Sequence, residues 1–264
     1  MNLIVCIKQV PDPLYFDRIT LDTVTKLVKR EGVPLIMNPN DLNAIETAIQ
    51  IKDTYGGKIT VLSMGPPQSM EVLEEALALG ADEAILLSDR AFAGADAVAT
   101  SYTLASAIKK FCEFDLILCG YETVDSGTRQ VGPQLAEYLD IPHVTGVRSF
   151  KIENPEYLIA ERRLENGYMK IEVILPALIA VYNDANDPRI PTVSGIMNVA
   201  SKSLKTYGLN EVGLISADVG LAGSPTQMAE MSEFKQKRRH EVFQGVPKEI
   251  VKQAIARLKE LQAI

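Results

Sequence analysis

Residues 115–142 read DLILCGYETVDSGTRQVGPQLAEYLDIP, and the succession of apolar run, polar loop and amphipathic helix in that stretch decides the fold. Leu116, Ile117 and Leu118 form the short continuous apolar run of a central parallel strand, and Gly120 ends it where a side chain would crowd an approaching ligand. From Tyr121 to Arg129 the side chains are mostly hydroxyl, carboxylate or guanidinium. A helix is expected from near Gln130 or Pro133, with Leu135, Ala136 and Leu139 on one face. A junction of this kind presents free backbone N–H groups to an anion, so the loop reads as a nucleotide site. The alternative is an ordinary surface connection.

Working outward, the first two-thirds of the chain alternates β-branched runs with helical patterns, the signature of a parallel sheet covered on both faces. Strands are expected at 3–7, 58–64, 84–87 and 116–119, with helices at 42–52, 70–79 and 96–110. Asn38 and Asp41 are placed to cap the first helix, and Gly80 to end the second. A hairpin-like excursion is expected at 19–33. Several strands end in polar or glycine-bearing loops, KQVPD, SMGPP, SDRAFAGAD and GYETVDSG, all on one edge of the sheet, where ligands of doubly wound folds collect. After Pro142 the pattern becomes a β-meander at 144–152, 157–164 and 169–174, with Asn166-Gly167 as its two-residue turn, and 178–181 returns to the main sheet. A short amphipathic segment follows at 193–201. Residues 206–245 hold few regularly spaced apolar positions, which suits an arm laid across a partner, and a terminal helix is expected at 248–261.

The chain has 264 residues, a formal charge of −7 and 47% hydrophobic residues, enough for one large domain with an appendage. The acidic balance argues against nucleic acid as a partner, and the basic run KQKRR at 235–239 is too short to change that. Cys6, Cys112 and Cys119 lie in apolar segments with no CxxC pairing, so neither a metal site nor a disulfide framework is expected. No signal peptide or membrane span is expected, because the longest apolar run, 171–182, is interrupted by Glu172 and Pro176. A reducing, cytoplasmic setting follows.

No catalytic set is evident. His143 and His240 lie outside the strand-end loops, and there is neither a GxxxxGK[ST] loop nor a GxGxxG after the first strand. Binding of a cofactor that carries its own chemistry remains. Asp125 is read as an acceptor for a ribose or adenine donor, Gln130 as a partner for an adenine or phosphate edge, and Arg129 as positive charge for a diphosphate. Singly, each is also an ordinary turn-former, helix-start residue or solvated charge.

Over nearly its full length the chain closely resembles the β subunit of electron transfer flavoproteins. The blocks that carry the resemblance are VCIKQVPD at 5–12, REGVPLIMNPNDLNAIETAIQIKD at 30–53, VLSMGPPQSMEVLEEALALGADEAILLSDRAFAGAD at 61–96, the stretch 115–142, and GLAGSPTQ at 220–227. The resemblance implies a doubly wound, mostly parallel α/β domain of Rossmann-like type at 1–205 with an added β-meander. It also implies a C-terminal arm at 206–264, ending in a helix, that wraps an α subunit. Carried over by position, the nucleotide pocket comprises Cys6, Asn38, Pro39, Asn40, Asp41 and Met64, with the loop Gly120, Tyr121, Glu122, Thr123, Val124, Asp125, Ser126, Gly127, Thr128, Arg129, Gln130 and Val131.

Family members differ in what this pocket holds. One branch carries AMP as a structural ligand. An electron-bifurcating branch carries FAD that accepts hydride from NADH and splits the electrons between a low-potential acceptor, ferredoxin or flavodoxin, and the α-subunit FAD. SMGPP, SDRAFAGAD and QVGP, with Val131 after Gln130, resemble the bifurcating branch. The loop departs from the usual G-x-Q-A-x-D-G-D-T-A-Q pattern at Glu122, Gly127 and Arg129. The resemblance also implies docking of a flavin-dependent dehydrogenase, of acyl-CoA, enoyl-CoA or lactate type, through residues 187–200 with Val193 as apolar anchor. Burial of Val193 in a helix is the competing reading. A nucleotide-binding regulatory protein of the universal-stress type resembles the sheet order but not the C-terminal arm.

Overall fold

A computed structural model describes residues 1–18, 20–21, 28–29, 32–226 and 240–263. It falls into two compact units, residues 1–229 and 230–264. The first is built on the strands β1 (Asn2–Cys6), β2 (Gln9–Pro11), β3 (Thr20–Leu21), β4 (Val28–Lys29), β5 (Leu35–Met37), β6 (Lys58–Met64), β7 (Glu83–Leu87), β8 (Leu116–Gly120), β9 (His143–Asn154), β10 (Tyr157–Leu164), β11 (Gly167–Ile174), β12 (Ala177–Val181) and β13 (Ser203–Tyr207). Its helices are α1 (Pro39–Tyr55), α2 (Met70–Leu79), α3 (Ala97–Phe111), α4 (Val131–Leu139), α5 (Val193–Asn198) and α6 (Leu209–Val212), and the second unit carries α7 (Pro247–Glu260).

Nine strands form one sheet in the order β11-β10-β9-β12-β8-β1-β6-β7-β13. Every neighbouring pair from β9 to β13 is parallel, and only the meander β9-β10-β11 is antiparallel. Side chains alternate between faces with the strand period of two. Leu3, Val5, Leu116 and Leu118 face the cluster that α1 and α2 bury, while Ile4, Cys6, Ile117 and Cys119 face the cluster that α3 and α4 bury. Burial on both faces explains why these strands read as continuous apolar runs. The chain adds β6 and β7 on one side of β1, then crosses with β8 to the other, so the strand order reverses between β1 and β8. That is where a doubly wound sheet opens a crevice at its carboxyl edge.

Three details differ from the sequence reading. The meander turn is Glu165-Asn166, because Leu164 pairs with Gly167, so Gly167 belongs to the strand instead of the turn. Helix α1 begins at Pro39, three residues before the expected start, with Asn38 at its N-cap making no side-chain cap bond. The boundary expected at 205/206 falls inside β13, which pairs with β7 in parallel. Residues 208–226 continue on the same unit: Val212 and Val219 are buried in the α3/α4 cluster, and the Ser224 hydroxyl accepts the Asp96 amide at 2.8 Å. Of the 19–33 excursion, β3 and β4 form an antiparallel pair. The rest of it, apart from Gly32 and Val33, lies outside the described residues, as does KQKRR.

Candidate functional site

The carboxyl ends of β1 and β8 are tied together by one carboxylate. Asp41, in the first turn of α1, accepts the Lys8 amide after β1 at 2.8 Å and the Gly120 amide at the end of β8 at 3.1 Å. It is 4% exposed, and burial raises its carboxyl to about 7 despite the hydrogen bonds from Asn38, Lys8 and Gly120 and the Lys8 charge, which pull the other way. Asn38 and Asp41 therefore tie strand ends and loop together instead of capping the helix. The Asn38 and Asn40 side-chain amides both donate to the Glu122 carbonyl at 2.9 Å, and the Val124 amide donates to Asn38 Oδ1 at 3.1 Å.

Gly120 is required by this arrangement. A Cβ there would collide with Asp41 Oδ1 and with Asn40. Crowding from the start of α1 by itself demands glycine here, a cause the sequence alone did not indicate.

The loop then folds on itself. The Lys8 ammonium, just after β1, reaches across to Asp125 in the loop, 2.7 and 2.9 Å from the two carboxylate oxygens. Thr123 and Ser126 hydroxyls pair at 2.7 Å, and Gly127, at φ 59°, donates to the Thr123 carbonyl. Arg129 Nε donates to Glu122 at 2.7 Å, and its guanidinium lies 4.8 Å from the Tyr121 ring centre. Asp125 and Arg129, read as nucleotide contacts, are thus ion-paired within the protein.

Ser126, Gly127, Thr128 and Gln130 are exposed. Gln130 occupies the N-cap of α4 without capping it, and Pro133 contributes no N–H, so the first-turn amides of Val131 and Gly132 have no side-chain cap. A Cβ at Gly132 would press to 3.0 Å from Cys119 Sγ, so α4 lies directly on the strand end. Cys6 pairs in register with Cys119 beneath that helix start, and Val131 and Met64 pack against the same apolar cluster. Burial pushes the Cys6 and Cys119 thiols up, so they act as apolar surface and not as nucleophiles.

The structure therefore brings together the turn from Asn38 to Asp41 and the start of the Gly120–Val131 loop, with Cys6 paired beside Cys119 at the foot of that loop, whereas Met64 ends β6 on the side of β1 away from β8. Lys8 was not among the residues expected in the pocket. Its signal was its place in KQVPD, the strand-end loop after β1.

Val193 lies elsewhere, at the first position of α5, and it is 76% exposed, which removes the reading of a buried helix residue. Ile190, Ile196 and Met197 are exposed beside it. The root of this segment is fixed to α1. The Arg189 guanidinium donates to Glu46 at 2.8 and 3.1 Å and to Asp53 at 3.1 Å, and Asn186 bonds Asn43 and Thr47. Glu46 is buried, which alone would push its carboxyl up, yet Arg189 and Gln50 hold it below the ordinary range. No helix among the described residues is long and apolar enough to cross a membrane.

Residues 25–212 match the electron transfer flavoprotein domain family. Over 100% of both chains the sequence is 48% identical to the electron transfer flavoprotein subunit beta of Thermoanaerobacterium thermosaccharolyticum. It is also 43% identical to the caffeyl-CoA reductase-Etf complex subunit CarD of Acetobacterium woodii, and 39% identical to the acryloyl-CoA reductase electron transfer subunit gamma of Anaerotignum propionicum, again over 100% of each chain. A doubly wound sheet open at the β1/β8 switch point, matched end to end by these relatives, leaves one conclusion: the chain belongs to the electron transfer flavoprotein family, among its beta subunits.

Proposed function

We propose that this chain is the nucleotide-holding half of an α–β electron transfer flavoprotein, that its crevice takes FAD, and that the assembly exchanges electrons with NAD(H) and bifurcates them. The observation that carries the reading is the meeting, at one switch point, of the uncapped start of α4, the apolar floor that Cys6 and Cys119 make beneath it, and the polar loop. This donor set fits a dinucleotide: the Val131 and Gly132 amides suit a phosphate, and the floor suits a flat apolar ring. Bound FAD supplies hydride acceptance and one-electron transfer, chemistry that none of the side chains here provides. The protein's own part is to bind and orient. Asp41 sets the spacing of the two strand ends, the loop covers the crevice, and α4 supplies the anion donors.

The relatives named as parts of caffeyl-CoA and acryloyl-CoA reductase systems support a partner that is a flavin-dependent dehydrogenase of the acyl-CoA or enoyl-CoA class, with lactate-type enzymes as the alternative. Ferredoxin or flavodoxin is the low-potential acceptor in this reading, and a cytoplasmic setting accompanies it. Docking of the dehydrogenase is assigned to Val193 and its exposed apolar neighbours, and the grip on the α subunit to residues 230–264. The competing reading is a carrier in which the same crevice holds structural AMP. Its support is that the α4 amides and the apolar floor would accept AMP equally well. Flavin analysis of the co-purified α–β pair separates them: FAD in each subunit is expected, and a single flavin accompanied by AMP overturns the bifurcating reading.

A further inference from the structure

Two of the three loop residues that depart from the family pattern, Glu122 and Arg129, are bonded to each other. Their pair joins the first and last turns of the nucleotide loop and closes residues 122–129 into a ring. Arg129 is also strained. Its φ is 60°, and the only other described non-glycine residues at positive φ, Asp140 and Gln262, follow the C-terminal ends of α4 and α7, where left-handed backbone is usual. Arg129 stands two residues before a helix start, where no such rule requires it, and a strained residue persists only when its surroundings hold it. Those surroundings are the Glu122 carboxylate and the Tyr121 ring, backed by Tyr182 with ring centres 5.3 Å apart, over which Arg163 lies at 5.2 Å. Glu122 in turn is positioned from the other side, since its carbonyl receives both the Asn38 and Asn40 amides.

We propose that Glu122 and Arg129 form a clasp that holds the nucleotide loop in its binding shape before the ligand arrives, and so sets how slowly a bound adenine nucleotide leaves. The pair rests on the crevice being a nucleotide site, as argued above. Both are positioning residues: the guanidinium is turned onto Glu122 and Tyr121, so its effect on the ligand passes through the loop backbone. The carboxylate and guanidinium are half-exposed, so the pair is salt-sensitive and its removal leaves the fold intact.

The test uses the full chain co-expressed with its α subunit, stripped of nucleotide and reloaded with AMP, with release followed by displacement. Arg129→Ala and Glu122→Gln are expected to speed AMP release by about fivefold at low salt, the upper range for an exposed pair. The charge-swapped double variant Glu122→Arg with Arg129→Glu is expected to restore slow release. Added salt is expected to speed release from the wild type by a larger factor than from the single variants. Arg129→Gly separates strain from clasp, because glycine relaxes the left-handed backbone: faster release is expected from it also, and slower release overturns the clasp. Equal release rates across the wild type and single variants likewise overturn it. A wild-type complex that binds neither AMP nor FAD overturns the nucleotide reading itself, an outcome the variants cannot mimic.

Discussion

At the residue scale the controlling group is Asp41. One carboxylate accepts the amides that follow β1 and end β8, so the width of the crevice depends on its two oxygens remaining acceptors. Its carboxyl titrates at about 7 in the folded chain, against an ordinary value near 3.9. The folded state therefore holds the proton more tightly than the unfolded state. Stability from this source is fully present below about pH 4, falls as the pH rises through 7, and is constant above it, a change on the order of a few kcal/mol. Asp41→Asn abolishes the titration. It keeps one acceptor and sets an amide donor against the second backbone N–H, so a loss of about 1–3 kcal/mol is expected at pH 5. Thermal melting of both proteins from pH 5 to 8 is expected to show the wild type declining relative to the variant up to about pH 7 and levelling off above it. Parallel curves overturn the assignment. Nothing in the sequence pattern separates Asp41 from any other acidic residue in a first helical turn. Its role emerges only when α1 is laid against Gly120.

At the element scale, α5 illustrates how a short helix is made into a surface. Thr192 caps it by accepting the Gly195 amide at 3.0 Å, and none of its residues is buried. Gly195 lets it lie on α2, since a Cβ there would collide with the Ala78 carbonyl. Lys202 secures the exit by donating to the Leu77 and Ala81 carbonyls at 2.8 and 2.7 Å. The apolar side chains are thus presented on a fixed seat. Val193→Asp is expected to leave the melting temperature of the complex nearly unchanged, within about 0.5 kcal/mol for so exposed a site, while raising the KM for the partner dehydrogenase. An unchanged KM excludes Val193 from docking. The same scale shows what could be read from sequence. Residues 58–64, 70–79 and 157–164 are expected as β6, α2 and β10, and those elements occupy them, because burial pattern and period agree there. Helix α1 begins early because Pro39 suits a first helical position and Asn38, freed from capping, bonds the loop instead. Strand β13 was missed because it is an edge strand with no fully buried side chain, so it lacks the apolar run of its neighbours. In the site, the order strand, loop, helix was legible, but partners were not. The Lys8–Asp125 and Glu122–Arg129 pairs join residues 117 and seven positions apart, and sequence spacing carries no sign of either.

At the scale of the whole molecule the chain divides into two units of unequal self-sufficiency. Residues 1–229 contain both buried clusters and the complete nine-stranded sheet. In residues 230–264 the principal element is α7, whose Val251, Ile255 and Leu258 form a stripe at helical spacing and are 56%, 43% and 41% exposed. Arg257 braces the helix by ion pairs to Glu241 at 2.6 Å and Glu260 at 2.9 Å, contacts worth little when exposed. A helix of 14 residues is marginal in water without a covered apolar face, so this stripe calls for a protein surface, and the α subunit is the partner proposed for it. Truncation after residue 229 is accordingly expected to leave a folded unit with the melting transition and far-ultraviolet dichroism of an α/β domain. It is also expected to abolish co-purification with a tagged α subunit. The substitutions Val251→Asp and Ile255→Asp in the intact chain give the same test without removing residues, and are expected to weaken the heterodimer while sparing the first unit. A truncated chain that still binds the α subunit with full affinity would move the grip to the first unit and leave α7 for another partner.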